Sequence, residues 1–335
     1  MPQDSRIIQP LGQTGQVASF EELDQLVNAF EAVLKRFGIL IQSGSELEGA
    51  CCSVLEVLGK NQNAHICDPQ EDIRLVFTEI LGIWTFLKKI VRLESHPGIS
   101  QFAPHLALLN EGTVGQNKRA TVCQEATNKI FELLFALVLL DVSDEVILDH
   151  PNLATGDNPD VLAMIEGQCW GFACKTIYGA SGKTFYDNLK KGVEQIEAAP
   201  KDQVGIVVMN FRNIISHEEC WPIRNKPEYL NGAEPIFAAY ERPVEFVASH
   251  ISEAVTQKYN QVVAEIGLQN VMNLFAGKKA LPAFLAFCQT RTGKVTALGP
   301  IPISITMLLV GKFGDVQAHQ RVFDKINSAL HDCSQ

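Results

Sequence analysis

The chain has 335 residues, 46% of them hydrophobic and 20% charged, so it carries enough apolar material for a sizeable core and is neither disordered nor fibrous. Its 28 basic and 38 acidic residues give a formal net charge of −10, which excludes a protein that coats nucleic acid by bulk charge but leaves room for a local grip. The longest apolar run, Ile130 to Leu140, is short of the roughly 20 residues that span a bilayer and contains Glu132. Nine cysteines without a Cys-x-x-Cys spacing make neither a disulfide framework nor a zinc ribbon, and the first ten residues lack a signal layout. The expectation is a soluble protein of a reducing cytoplasm.

Residues 20 to about 110 have helical periodicity. Leu23, Val27, Phe30 and Leu34 recur at three-to-four spacing and predict one apolar stripe, with Ser19 as N-cap. Further helices are expected at 46–59, opened by Ser45, and at 70–94, where Leu75, Ile80, Trp84, Leu87 and Val91 supply the buried face. This region is acidic and a poor nucleic-acid surface; a partner-binding, regulatory or dimerisation role is expected of it. The polar stretch Asn110 to Arg119 reads as a linker or loop, and a strong helix follows over about 120–140.

The pattern then changes to short β-rich runs bounded by Gly, Asn, Asp and Pro, at 144–149, 160–166, 169–178 and 204–211. An amphipathic helix from Thr184 to Ala199, stopped by Pro200, lies between the last two. The tail adds a helix at about 243–264, strand candidates at 281–288 and 300–310, and a closing helix near 315–331. This order predicts an α/β fold with a mixed sheet over 113–335, including a C-terminal extension, preceded by an all-α region over 1–112.

The segment Asn158 to Thr176 reads as a hairpin: one strand from Asp160 to Ile165, a Glu-Gly-Gln turn, and a second strand from Cys169 to Ile177. Side chains alternate along a strand, so residues 173 and 175 share a side, and an acid opening the first strand could meet a lysine late in the second. Pro159-Asp160, separated by thirteen residues from Cys174-Lys175, resembles the PD-(D/E)XK nuclease superfamily, with its second acid falling on Ala173.

That resemblance implies a restriction-endonuclease-like fold and a Mg²⁺- or Mn²⁺-dependent cut of phosphodiester bonds, DNA ahead of RNA. It assigns metal ligands to Asp160, the missing acid at 173 and the carbonyl of Cys174. Lys175 would orient the attacking water. Glu132, with Glu125 as its alternative, would hold a second ion or a metal-bound water, and Gln195 is similar to a glutamine that some members use near the site. A lost carboxylate removes a ligand and a negative charge, so the chain is expected to be a weak or dead catalyst as written. The missing acid could come from elsewhere, with Glu166 nearest; the chain could be a pseudonuclease, a non-catalytic nucleic-acid-binding or scaffolding subunit; or Ala173 could be a deliberate inactivating substitution. The family's range also points to dimers and to an antiviral defence setting.

Two stretches are locally basic and could touch phosphates: Lys175, Lys183, Lys190 and Lys191 between 173 and 193, and Lys278, Lys279, Arg291, Lys294 and Lys312 between 267 and 314, where there is no acid. Solubilising surface charge is an equally good account of any single lysine. Gly179-Ala-Ser-Gly-Lys-Thr184 looks like a phosphate-binding loop but has Ile177 where the pattern needs its first glycine. Arg212-Asn-Ile-Ile-Ser-His217 matches the Arg-x4-His pattern of metal-independent HEPN ribonucleases, yet follows a strand, where that family needs a helix. Arg212 could instead touch nucleic acid or brace the strand end.

Overall fold

Period-two and period-3.6 patterning together build one mixed sheet with helices on both faces, in a computed structural model that describes residues 7–12, 15–17, 20–62, 73–120, 122–143, 145–153, 158–200, 204–221, 242–296 and 299–331. In chain order come strands β1 (Ile8–Pro10) and β2 (Gly15–Val17), then helices α1 (Phe20–Arg36), α2 (Glu46–Gln62), α3 (Ile73–Arg92), α4 (Ala103–Ala107) and α5 (Glu125–Leu140). Next are β3 (Val146–Leu148), β4 (Val161–Ile165), β5 (Gln168–Thr176), α6 (Gly182–Ala198), β6 (Val204–Asn210) and α7 (His217–Cys220). The chain closes with α8 (Pro243–Ile266), α9 (Leu268–Asn273), β7 (Ala280–Thr296), β8 (Gly299–Lys312) and α10 (Gln320–His331).

The eight strands run in the order β1-β8-β7-β6-β5-β4-β3, with β2 also on β8. The central strands β5, β6 and β7 are parallel, and the flanking pairs are antiparallel. Parallel neighbours need a crossover, supplied by α6 between β5 and β6 and by α8 between β6 and β7. β6 is therefore covered on both faces, and all seven of its residues are buried.

Each face has its own core. On one, α5 lays Phe131 and Phe135 against Phe287 and Phe172, both ring pairs 5.3 Å apart, in a cluster that also takes residues of α1, α2 and α3. On the other, Phe185, Leu189, Val193 and Ile196 of α6 join Val247, Ile251 and Val255 of α8 beneath Val207, Met209 and Phe284. Gly205 makes the close approach of α6 possible: a Cβ there would lie 2.5 Å from Ile196 and 2.7 Å from the Gly171 carbonyl.

Several expectations are revised. The N-terminal region is not purely helical, because β1 and β2 pair with β8 before α1 begins. Residues 110–119 are no free linker: Gln116 and Asn117 are fully buried, Asn117 Nδ2 donates to Thr78 O at 2.8 Å, and Gln116 Oε1 accepts from Asn210 Nδ2 at 2.8 Å, tying α3 to the end of β6. β7 and β8 outrun the predicted strands, since their antiparallel ladder continues to Thr296 and Gly299. Ser45 caps α2, its Oγ accepting the Glu48 N–H at 3.1 Å, whereas Ser19 and residues 70–72 of the third predicted helix lie outside the described residues. Among the described residues no helix is long and apolar enough to cross a membrane.

Candidate functional site

The hairpin of β4 and β5 turns at Glu166 and Gly167, both at positive φ (54° and 77°), the two-residue turn that suits the twist of antiparallel strands. Its register pairs Val161 with Phe172, so the ladder ends there and Asp160 falls beside Ala173 just beyond it. The Asp160 side chain takes over as ladder acceptor: Oδ2 accepts the Cys174 N–H at 2.7 Å. Lys175 Nζ donates to the same Oδ2 at 3.1 Å and to the Cys174 carbonyl at 3.0 Å. The acid and the lysine singled out in the sequence therefore meet, with side chains only 8% and 16% exposed.

Helix α5 faces this pair with a second one. It is buried along nearly its whole length, including two charged residues, and Lys129 Nζ donates to Glu132 Oε2 at 2.8 Å. Burial, and then the negative charge of Asp160, push the Glu132 carboxyl well above the usual carboxylate range, against the pull of Lys129 and Lys175. Burial works against the Lys129 charge, but Glu132, Asp160 and Asp149 hold its ammonium above its ordinary value. Lys129 was missed from sequence, although a lysine three residues before a glutamate at the edge of an apolar helix is a readable signal.

Ala173 lies on the other side of the sheet. It is fully buried in the α6 face core with Phe185, Leu189 and Val193, while Cys174 belongs to the α5 face. A Cβ on Gly192 would come within 3.4 Å of the Ala173 methyl, so α6 closes directly over this position. The Ala173 methyl is therefore no part of the Asp160–Glu132 cluster, and the resemblance's second acid is missing there. Glu166 does not replace it: at the far end of the hairpin it pairs with Arg321 at 2.9 Å and Lys325 at 2.6 Å. Gln195 is half-buried on α6 and its Oε1 has no hydrogen-bond partner among the described residues; Glu125 is exposed in the first turn of α5. The Cys174 thiol is raised well above its ordinary pKa by burial and then by Asp160 and Glu132, which makes it a packed side chain rather than a thiolate ligand.

The expected nucleic-acid contacts divide in two. Arg212 is fully buried, its Nε donating to Lys118 O at 3.0 Å and Nη1 to Gln116 Oε1 at 3.2 Å, and burial lowers its guanidinium to about 10. Arg291 is buried on β7, where Nη1 donates to Asn117 O at 2.8 Å. Lys279 Nζ is anchored on the Ala199 carbonyl at 2.5 Å. Arg212 and Arg291 brace the loop at 116–118, and Lys279 braces the C-terminal end of α6. Lys191 and Lys278 are exposed, as are Lys183 and Lys190 beside Asp187 and Glu194; Lys294 lies on β7 with its side chain outside the described residues. Arg212 and His217 form no ribose site: His217 is buried, its ring spans Thr290 Oγ1 at 2.9 Å and Arg212 O at 2.7 Å, and burial lowers its pKa to about 3.

The donor set does not fit a divalent ion. Asp160 Oδ2 and Cys174 O, from two of the residues that the nuclease resemblance assigns to the metal, converge on Lys175 Nζ, and Glu132 Oε2 accepts from Lys129 Nζ, with the Asp149 carboxyl close enough to act on both Lys129 and Asp160. A site for Mg²⁺ needs several free oxygens, and the ammoniums already hold the oxygens nearest its expected place. Among the described residues no group of three or more His, Cys, Asp or Glu side chains is placed to hold a metal. No protein-family model, curated protein or solved structure matches the chain.

Proposed function

We propose that the chain is a catalytically silent α/β protein of restriction-endonuclease-like type, a non-catalytic nucleic-acid-binding or scaffolding subunit. The observation that carries this reading is Lys175: its ammonium bonds the carboxylate and the carbonyl that a nuclease would offer to its ion. A fixed cation supplies charge but neither coordinates a water nor lowers its pKa, which is the work a metal does in phosphodiester hydrolysis. The facing Lys129–Glu132 pair engages the carboxyl that α5 brings to the cluster. The exposed lysines Lys183, Lys190 and Lys191 on α6, with Lys278, offer basic surface for a nucleic-acid partner.

A second reading, a metal-dependent nuclease, is favoured by the convergence of Asp160, Lys175 and Glu132 where β4 leaves β5. Incubation with plasmid, linear duplex and single-stranded DNA and with RNA, in Mg²⁺ or Mn²⁺, separates the two. The silent reading expects no cutting by the chain, by Asp160→Asn or by Lys175→Ala. Metal-dependent cutting by the chain that Asp160→Asn abolishes would overturn it and establish the nuclease.

A further inference from the structure

A cavity of about 450 Å³ opens at the carboxyl ends of the parallel strands β5 and β6, lined by Arg119, Tyr178–Ala180, Asn213, Ile214 and a stripe of α8 that includes Gln257, Lys258 and Gln261. Its lining holds two cations, Arg119 and Lys258, several amides and no carboxylate. The Tyr178 phenol, pushed up to about 12 chiefly by burial, stays neutral and donates to Asn128 Oδ1 at 3.0 Å. We propose that this cavity is a binding site for a phosphate-bearing ligand, gripped by the Arg119 guanidinium and the Lys258 ammonium.

The two cations are positioned for that role. Lys258 is only 5% exposed and donates to the Ala180 carbonyl and, at 2.9 Å, to Gln261 Oε1, which uses two of its three N–H groups on neutral acceptors. A buried ammonium whose hydrogen bonds go to neutral oxygens gains from an anion brought into the cavity, in addition to the charge stabilisation that the Glu265 carboxylate lends it. Arg119 is exposed at the mouth, and its backbone is fixed because the next residue, Ala120, donates its N–H to Asn213 Oδ1 at 2.8 Å while Asn213 Nδ2 holds Ile177 O at 3.0 Å. The same asparagine thus ties the arginine loop to the end of β5. A guanidinium offers paired donors that match two phosphate oxygens.

The first turn of α6 is not the binding element, because it is already capped. Glu265 of α8 accepts the Lys183 N–H at 2.8 Å and also the Gly182 N–H, and Ser181 Oγ accepts the Thr184 N–H at 3.1 Å. Gly182 makes this approach possible: a Cβ would sit 2.8 Å from Gln261 O. The cap clamps α6 to α8 and sets the wall of the cavity, and its backbone donors hold the Glu265 carboxyl below its ordinary pKa. The volume lies in the usual range of small-molecule pockets, roughly 300–1,000 Å³, and so admits a phosphorylated molecule of nucleotide size as well as one phosphate of a strand.

Titration calorimetry with inorganic phosphate, adenosine monophosphate and a short oligothymidylate, at fixed ionic strength, tests the proposal on the full chain, on Arg119→Ala, on Lys258→Gln and on Lys35→Ala of α1 as a surface control. Binding is expected, weakened by about tenfold or more in Arg119→Ala and Lys258→Gln and unchanged in Lys35→Ala, where tenfold corresponds to about 1.4 kcal/mol. Tighter binding of the monophosphate than of the oligonucleotide assigns a free phosphorylated molecule, and the reverse assigns a strand phosphate; either supports the site. Absence of binding of all three, or binding that Arg119→Ala leaves unchanged, overturns it. Should Lys258→Gln fail to fold, the exposed Arg119 carries the test alone. None of these residues belongs to the Asp160 cluster, so the outcome is independent of the cleavage assay.

Discussion

Replacing Ala173 with glutamate puts a carboxylate into the core between β5 and α6. Ala173 is fully buried in a cluster with Phe185, Leu189 and Val193, and Gly192 approaches so closely that a Cβ there would come within 3.4 Å of its methyl. Adding heavy atoms to such a site costs about 1–3 kcal/mol in overpacking. Keeping the carboxyl neutral at pH 7 costs about 3.7 kcal/mol more, at 1.36 kcal/mol for each pH unit above an unperturbed pKa of about 4.3. Against a total stability of about 5–15 kcal/mol, a loss near 5 kcal/mol is severe. The folded-state pKa of the new acid is raised, so its penalty is absent below about pH 4 and grows as pH rises toward that pKa. Urea denaturation followed by tryptophan fluorescence, at pH 5 and pH 7.5, reads this as a gap between variant and parent that widens with pH. Equal stability at both pH values, together with new metal-dependent cutting, would refute the burial of this position.

Other perturbations give further tests. Lys175→Met strands the Asp160 carboxylate with only the Cys174 N–H, and breaking a buried pair on one side costs about 3–5 kcal/mol; a urea midpoint matching the parent's would show that the pair is not buried in solution. Glu132 has a raised folded-state pKa, so its contribution is fully present below about pH 4.3 and is lost as pH rises through the folded value; Glu132→Gln should flatten the parent's decline, by up to about 1.4 kcal/mol per pH unit, and an unchanged slope would contradict the assignment. His217, lowered to about 3, is neutral when folded, so stability falls as pH drops below its unfolded value of about 6.5, reaching a loss near 2 kcal/mol at pH 5. In His217→Gln the acid limb should lose about one proton of slope, measured by stability against pH. Gly205→Ala should cost at least about 2 kcal/mol, because its methyl meets the Gly171 carbonyl and Ile196; a normal urea midpoint would show that α6 can move away.

The hairpin was legible because alternation, Pro159-Asp160 and the Glu-Gly turn all agree, and the meeting of Asp160 with Lys175 followed from strand geometry. The face of residue 173 was not. Alternation fixes where a Cβ points but not where a four-carbon side chain ends: Lys175 reaches back to a carboxylate at the end of the ladder, while Ala173 stays against α6. The long helices were readable from periodicity, but β1 and β2 are three residues each and exist only through their pairing with β8. Gln116 and Asn117 read as linker because amides suit loops, yet buried amides are stable when paired, and Asn210 and Thr78 O provide the partners. Arg212 and Arg291 read as phosphate contacts because charge carries no signal of depth; the carbonyls of Lys118 and Asn117 that bury them come from a loop distant in sequence.

Mn²⁺ binding followed by electron paramagnetic resonance, on the chain and on Lys175→Ala, tests most directly whether the Lys175 ammonium has taken the place of a metal ion. A silent cluster whose oxygens are held by ammoniums predicts no Mn²⁺ bound by the chain at concentrations below about 1 mM, weaker than about 4 kcal/mol. Tight binding by the chain that disappears in Asp160→Asn would contradict it and return the site to metal chemistry.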